Sequence, residues 1–163
     1  MEETGKKKKV YTPQQATRKA ESYCAYQERA QQEVRDKLYD WGLHHDDVES
    51  IISYLIEENY LNEERFATAY VHGKFRIKGW GKVKIKQGLK QKRVSPPLIK
   101  IALNQLNAEE YTAKLIEILE KKNRLIREND PFKRRNKLFQ YALGRGFENQ
   151  LILEALTDND FTF

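Results

Sequence analysis

The sequence predicts an all-α protein of three tandem three-helix repeats in an elongated, bent arrangement. Three observations carry this. Apolar residues recur at helical spacing along the chain, with no sustained period-two alternation. Three helix starts are written as a capping residue followed by proline: Thr12-Pro13, Ser95-Pro96 and Asp130-Pro131. A side-chain oxygen there accepts an unpaired backbone N–H, and proline loses no hydrogen bond at the first helical position. Finally, one apolar pattern returns three times. When Leu43, Val94 and Phe147 are set as equivalent anchors, 51 and 53 residues apart, five flanking columns stay apolar. Nine and five residues before the anchor stand Val34, Ile85 and Leu138, then Leu38, Leu89 and Ala142. Five, eight and nine residues after it stand Val48, Ile99 and Ile152, then Ile51, Ala102 and Ala155, then Ile52, Leu103 and Leu156.

Each repeat reads as a long first helix, a second helix closed by a tight turn, and an amphipathic third helix. Residues 1–11, with Lys6 to Lys9, read as a disordered basic tail. The repeats follow at 12–61, 62–106 and 107–163. The residue before the anchor is Gly42, Arg93 or Gly146. A left-handed helix end favours glycine, so Arg93 is the odd member. Tandem units of this size share interfaces, because one trihelical unit buries little apolar surface alone.

Composition bounds the function. The 163 residues are 39% hydrophobic and 33% charged, with a net charge of +6. Cys24 is the one cysteine, which excludes an internal disulfide and fits a reducing, cytoplasmic setting. No apolar run approaches the ~20 residues that span a bilayer, so no membrane association is expected.

Charge is segregated. Between Leu38 and Glu64 there are eight acidic residues and no Lys or Arg. From Phe66 to Ala108 the balance inverts: no acid, and ten cations at Lys74, Arg76, Lys78, Lys82, Lys84, Lys86, Lys90, Lys92, Arg93 and Lys100. Such a local field is the footprint of a polyanion partner. At ~100° per residue, Lys82, Lys86, Lys90 and Arg93 share a sector of ~80° on the second helix of the middle repeat. Trp80, between Gly79 and Gly81, is placed to stack on a base or enter a partner groove. A second basic cluster, with Lys133, Arg134, Arg135 and Lys137, lies in the third repeat.

No catalytic constellation is legible, and no cofactor or metal is expected. His44 and His45 fall at a turn and helix start, where capping or solvent exposure accounts for them. His72 stands alone, and Cys24 reads as buried packing. Gly79-Trp80-Gly81-Lys82 lacks the spacing of a phosphate loop.

The run Leu61-Asn62-Glu63-Glu64-Arg65-Phe66-Ala67, followed by Gly79-Trp80-Gly81-Lys82-Val83-Lys84-Ile85-Lys86-Gln87-Gly88-Leu89-Lys90-Gln91-Lys92-Arg93-Val94, resembles the central signature of the RecX family. Ala25-Tyr26-Gln27-Glu28-Arg29-Ala30 and Glu33-Val34-Arg35-Asp36-Lys37-Leu38 resemble that family's first repeat. The chain departs from the pattern at Asn62, Lys84, Gly88 and Arg93. The resemblance implies a monomeric, non-enzymatic regulator of the RecA recombinase. It would bind the RecA–DNA filament, touch single- or double-stranded DNA, and block filament growth or promote disassembly. Recombination, DNA repair and the DNA-damage (SOS) response would be modulated as a result. The candidate contact residues are Lys74, Arg76, Lys78, Trp80, Lys82, Lys84, Lys86, Lys90 and Arg93.

The alternative reading is an independent DNA-binding protein of helix-turn-helix type without sequence preference. Lysines suit phosphates and discriminate bases poorly, and Pro96-Pro97 at the start of the third helix read nothing. A pure adaptor without a DNA role stands third.

Overall fold

The computed structural model describes residues 10–161, and among these there are nine helices and no strand. The first repeat comprises α1 (Pro13–Tyr26), α2 (Gln31–Asp40) and α3 (His45–Glu57). The second comprises α4 (Glu63–Arg76), α5 (Lys82–Gln91) and α6 (Pro96–Asn104). The third comprises α7 (Ala108–Leu125), α8 (Pro131–Gly144) and α9 (Asn149–Asp158). Lys6 to Lys9 of the expected tail lie outside the described residues. Tyr11 belongs to the fold: its N–H donates to Trp41 O at 3.1 Å, and its ring meets Trp41 edge-on at 6.1 Å.

The backbone groups into two compact units. One runs to Ala67 and includes Lys92–Val94; the other takes Thr68–Gln91 and the chain from Ser95 onward. In the first, Ala16, Ala20 and Cys24 of α1 pack with Val34, Leu38, Leu43, Val48, Ile51, Ile52, Leu55 and Leu61. Burial pushes the Cys24 thiol up to about 11, so it stays protonated and unreactive near neutral pH. In the second, Val71 and Phe75 of α4 are buried, as are Ile85, Leu89, Ile99 and Leu106. The third repeat adds Tyr111, Leu115, Leu119, Leu138, Phe147 and Ile152.

The repeat columns are core columns. Of the anchors and their equivalents, all are buried except Leu103, which is partly exposed. The three proline-marked starts are helix starts. Thr12 Oγ1 accepts from Gln15 N at 3.2 Å, and Asp130 Oδ1 accepts from Phe132 N and Lys133 N at 2.9 and 3.2 Å. Ser95 departs from the expectation, since its side chain makes no capping bond. Pro97, at the second helical position, removes one of the two donors such a cap serves.

The signature around Leu61 is structural. Asn62 Oδ1 caps α4 through Arg65 N at 2.9 Å. Glu63 Oε1 accepts from Gln31 N, at the start of α2, at 3.2 Å. Burial raises the Glu63 carboxyl pKa, and the bond from Gln31 opposes that rise. Arg65 donates from Nε to Glu28 Oε1 at 2.8 Å and from Nη1 to Asn59 Oδ1 at 2.9 Å, clamping a residue at φ 63. Phe66 and Ala67 are buried.

Gly42, Arg93 and Gly146 all take positive φ, at 87°, 58° and 93°. The left-handed turn is thus common to the repeats, and Arg93 adopts it against the preference of a residue with a Cβ. Arg93→Gly is expected to stabilise the protein by about 1 kcal/mol, read as an upward shift of the urea midpoint at constant slope. A midpoint that falls would mean that the arginine side chain contributes more than its backbone costs.

Candidate functional site: a basic groove and a lysine-flanked tryptophan

Helix α5 is positioned by its own N-terminus, which begins without an acidic residue. Its first N–H groups are satisfied from the third repeat. Gly81 N donates to Arg145 O, Val83 N to Gly146 O, and Lys82 N to the Tyr111 hydroxyl, each at 2.9 Å. The Tyr111 hydroxyl in turn donates to Glu148 Oε1. Backbones meet closely enough here to demand glycine. A Cβ on Gly81 would lie 2.4 Å from the carbonyl carbon of Gly146, and one on Gly146 would lie 2.3 Å from Lys84 Cβ. The Tyr111 ring lies between Phe75 and Phe147, with centroids 5.8 and 5.3 Å away. Burial and the bond to Glu148 raise the Tyr111 pKa well above the ordinary phenol value.

With α5 held this way, its cations divide between two flanks. Ile85 and Leu89 face the core. On one flank Lys82, Lys86 and Lys90 line a groove of about 360 Å³ together with Pro96, Ile99, Lys100, Leu103 and Asn104 of α6. Lys82 Nζ also lies 4.8 Å above the Tyr111 ring. Lys84 is about 200° around the helix from Lys82, on the other flank. There it shares Trp80 with Lys74, each ammonium 4.7 Å from the ring centroid. Trp80 is half-buried, and its backbone N–H donates to Lys74 O at 3.0 Å, which holds the residue against the end of α4. Gly88, on the same side, makes room for Tyr70. A Cβ there would lie 2.0 Å from the Tyr70 hydroxyl, and α5 runs through this glycine unbroken.

The other candidates are scattered. Arg76 and Lys78 are exposed at the end of α4, and their carbonyls accept from Lys114 and Arg145. Arg93 is exposed and falls with the first compact unit. The second basic cluster is largely engaged in holding the third repeat together. Arg134 is 5% exposed. It donates to Asn123 Oδ1 at 2.7 Å, to Asn123 O, and to the carbonyls of Ile126 and Glu128 at 3.1 and 2.8 Å. Arg135 donates to Leu156 O and Thr157 Oγ1, and Lys137 pairs with Glu128 at 3.2 Å. Lys133 is exposed.

Sequence reading did not select Lys100, Leu103 or Tyr111 for the site. The acid-free span reaching Ala108 was the available signal for Lys100. Nothing local marked the other two. Among the described residues, no group of three or more His, Cys, Asp or Glu could hold a metal ion, and no helix is long and apolar enough to cross a membrane.

Three helix triplets of one pattern, the middle one carrying cations with no acid from Phe66 onward, define a helical-repeat protein with a basic central repeat. The chain belongs to the RecX family. That family's first, second and third three-helix domains match residues 16–55, 62–103 and 109–156. It is 31% identical over 138 residues to regulatory protein RecX of Clostridium perfringens strain 13, covering 82% of this chain and 64% of the relative. It is 34% identical over 134 residues to regulatory protein RecX of Clostridium acetobutylicum, covering 80% and 62%. These relatives are therefore spanned over less than two thirds of their length. The crystal structure of RecX from Lactobacillus salivarius superposes with a TM-score of 0.81 at 26% identity, covering 90% of this chain and 95% of that one.

Tyr111→Phe removes the acceptor for Lys82 N–H and the donor to Glu148. We expect a loss of about 2–3 kcal/mol. The Tyr111 pKa is raised in the folded state, so this contribution is complete below the unfolded value of 10.0 and declines as pH rises above it. The stability gap between wild type and Y111F should therefore narrow above that pH in urea titrations. A constant gap would show that tyrosine ionisation is not coupled to folding here.

Proposed function

We propose that this protein is a non-enzymatic regulator of the RecA recombinase. It binds the RecA–DNA filament, lowers filament growth or activity, and so modulates recombination, repair and the DNA-damage response. Membership of a family whose relatives are regulatory proteins supports a regulatory role. One observation of this chain carries the reading further. The middle repeat holds no acid from Phe66 to Ala108, and α5 and α6 turn four of its lysines into one groove. Like charges so gathered repel one another unless an anionic surface faces them, and a nucleoprotein filament offers both phosphates and carboxylates. The Lys74–Trp80–Lys84 cluster adds a flat ring with two ammoniums, the chemistry that suits a nucleic-acid strand. A single copy in the cytoplasm, acting without cofactor, completes the proposal.

The second reading, independent DNA binding without sequence preference, rests on the same lysines. The two separate on bare DNA. Replacing Lys82, Lys86 and Lys90 with Glu should abolish inhibition of RecA ATPase on single-stranded DNA while helicity and Tm hold. Lys82 also meets the Tyr111 ring, so the double variant Lys86→Glu, Lys90→Glu, which leaves that contact in place, is the second test and should weaken inhibition in the same direction. Full inhibition by the folded triple variant would remove these lysines from the interface.

If three to five phosphates are engaged, the log–log salt slope for bare single-stranded DNA should be about −2 to −3.5. A flat response would leave the filament's protein as the principal contact. Tight binding to bare DNA with no effect on RecA ATPase would favour the independent DNA-binding reading.

A further inference from the structure

We propose that the α5–α6 groove is a receptor for a carboxylate-bearing protein segment with a bulky apolar side chain, seated between Lys86 and Lys100 over Leu103. This deepens the regulator reading and rests on it. The repeats supply the argument. Eight residues before the anchor and six after it, the first repeat has Arg35 and Glu49, the second Lys86 and Lys100, the third Phe139 and Leu153. Arg35 and Glu49 form a two-pronged ion pair, Nε to Oε1 at 2.7 Å and Nη2 to Oε2 at 3.3 Å. The Arg35 bond lowers the Glu49 pKa, as an ion pair across the second and third helices of a repeat should. The third repeat sets two apolar residues there. In the middle repeat both positions are lysine, so the ion pair that Arg35 and Glu49 complete in the first repeat is replaced by two cations, with no anion from α5 or α6 to pair them.

The floor of the groove separates a protein ligand from a nucleic acid. Leu103 is the one anchor-column residue left partly exposed, while its equivalents Ile52 and Leu156 are buried. It lines the groove beside Ile99 and Pro96. A phosphate backbone gains nothing from an aliphatic floor, and the groove offers no aromatic ring on which a base would stack. A side chain such as Leu or Phe beside an Asp or Glu satisfies both features at once.

The test uses the full chain on RecA filaments assembled on single-stranded DNA. A water-soluble carbodiimide activates a carboxylate, and a lysine amine then displaces the urea to form an amide. It records amine–carboxylate contact directly. Peptide mass spectrometry is expected to find Lys86 or Lys100 joined to a recombinase Asp or Glu. Lys100→Glu supplies the missing carboxylate in cis and should lower filament affinity by about tenfold or more. Leu103→Ser should also weaken filament binding while affinity for bare DNA holds.

Three results would overturn the proposal in a chain that still co-sediments with filaments. One is the absence of groove-lysine cross-links to the recombinase. Another is a Leu103→Ser variant that binds filaments as wild type does, or that loses bare-DNA affinity equally, which would make the occupant nucleic acid. The third is cross-links to a second copy alone. A chain that does not co-sediment with filaments overturns the regulator reading itself, and this assignment with it.

Discussion

The second and third repeats depend on how the first turn of α5 is completed. A helix beginning with Lys82 and Lys84 sets positive charge against the positive end of its own dipole and leaves backbone N–H groups without partners. The third repeat supplies what α5 lacks: two carbonyls, from Arg145 and Gly146, and the Tyr111 hydroxyl. Because two of the three acceptors are main-chain atoms, the two backbones must touch, and glycine at 81 and 146 permits it. Tyr111 then joins polar and apolar parts of one seam, its hydroxyl between Lys82 N–H and Glu148 and its ring between Phe75 and Phe147. Aromatic pairs of this kind add about 0.5–1.5 kcal/mol each beyond burial.

This seam also decides where the lysines go. With Ile85 and Leu89 directed into the core, helical geometry places Lys82, Lys86 and Lys90 toward α6 and Lys84 toward α4. The basic repeat is thus two surfaces of different chemistry. One is a groove with an aliphatic floor and cationic walls. The other is an indole with two ammoniums near its ring. The family signature reads differently in this light. Asn62, Glu63 and Arg65 cap and clamp, while Gly79 and Gly81 allow close approach, so much of the motif holds the fold that presents the lysines.

Candidate residues chosen by charge fared according to their surroundings. Lys82, Lys86 and Lys90 share a groove because three residues spaced by four on one helix must share a face. Arg134 follows no such rule. It sits in an equally basic run, yet its guanidinium is folded inward onto the Asn123 carbonyl of α7 and those of Ile126 and Glu128 in the α7–α8 connection. A planar group with five donors serves as well for tying a loop as for meeting a polyanion, and composition does not separate the two uses. Ser95 makes a similar point on a smaller scale. The helix starts where the Ser-Pro pair places it, but the second proline leaves less for the hydroxyl to cap.

By itself, the sequence determined the helical class, the threefold repeat, the columns that form the cores, the left-handed turns at Gly42 and Gly146, and the acid-free run of cations on the middle repeat. Each is a local or periodic property, set by side-chain spacing at ~100° per residue, by proline and glycine backbone preferences, and by charge counted along the chain. Only the tertiary structure decided that Lys100 joins the stripe on α5, that Leu103 is left partly exposed, that Trp80 meets both Lys74 and Lys84, and that Gly81 meets Gly146. Those facts depend on which helices approach and how closely. Packing and main-chain hydrogen bonds between segments distant in sequence set that approach, and no period in the chain encodes it.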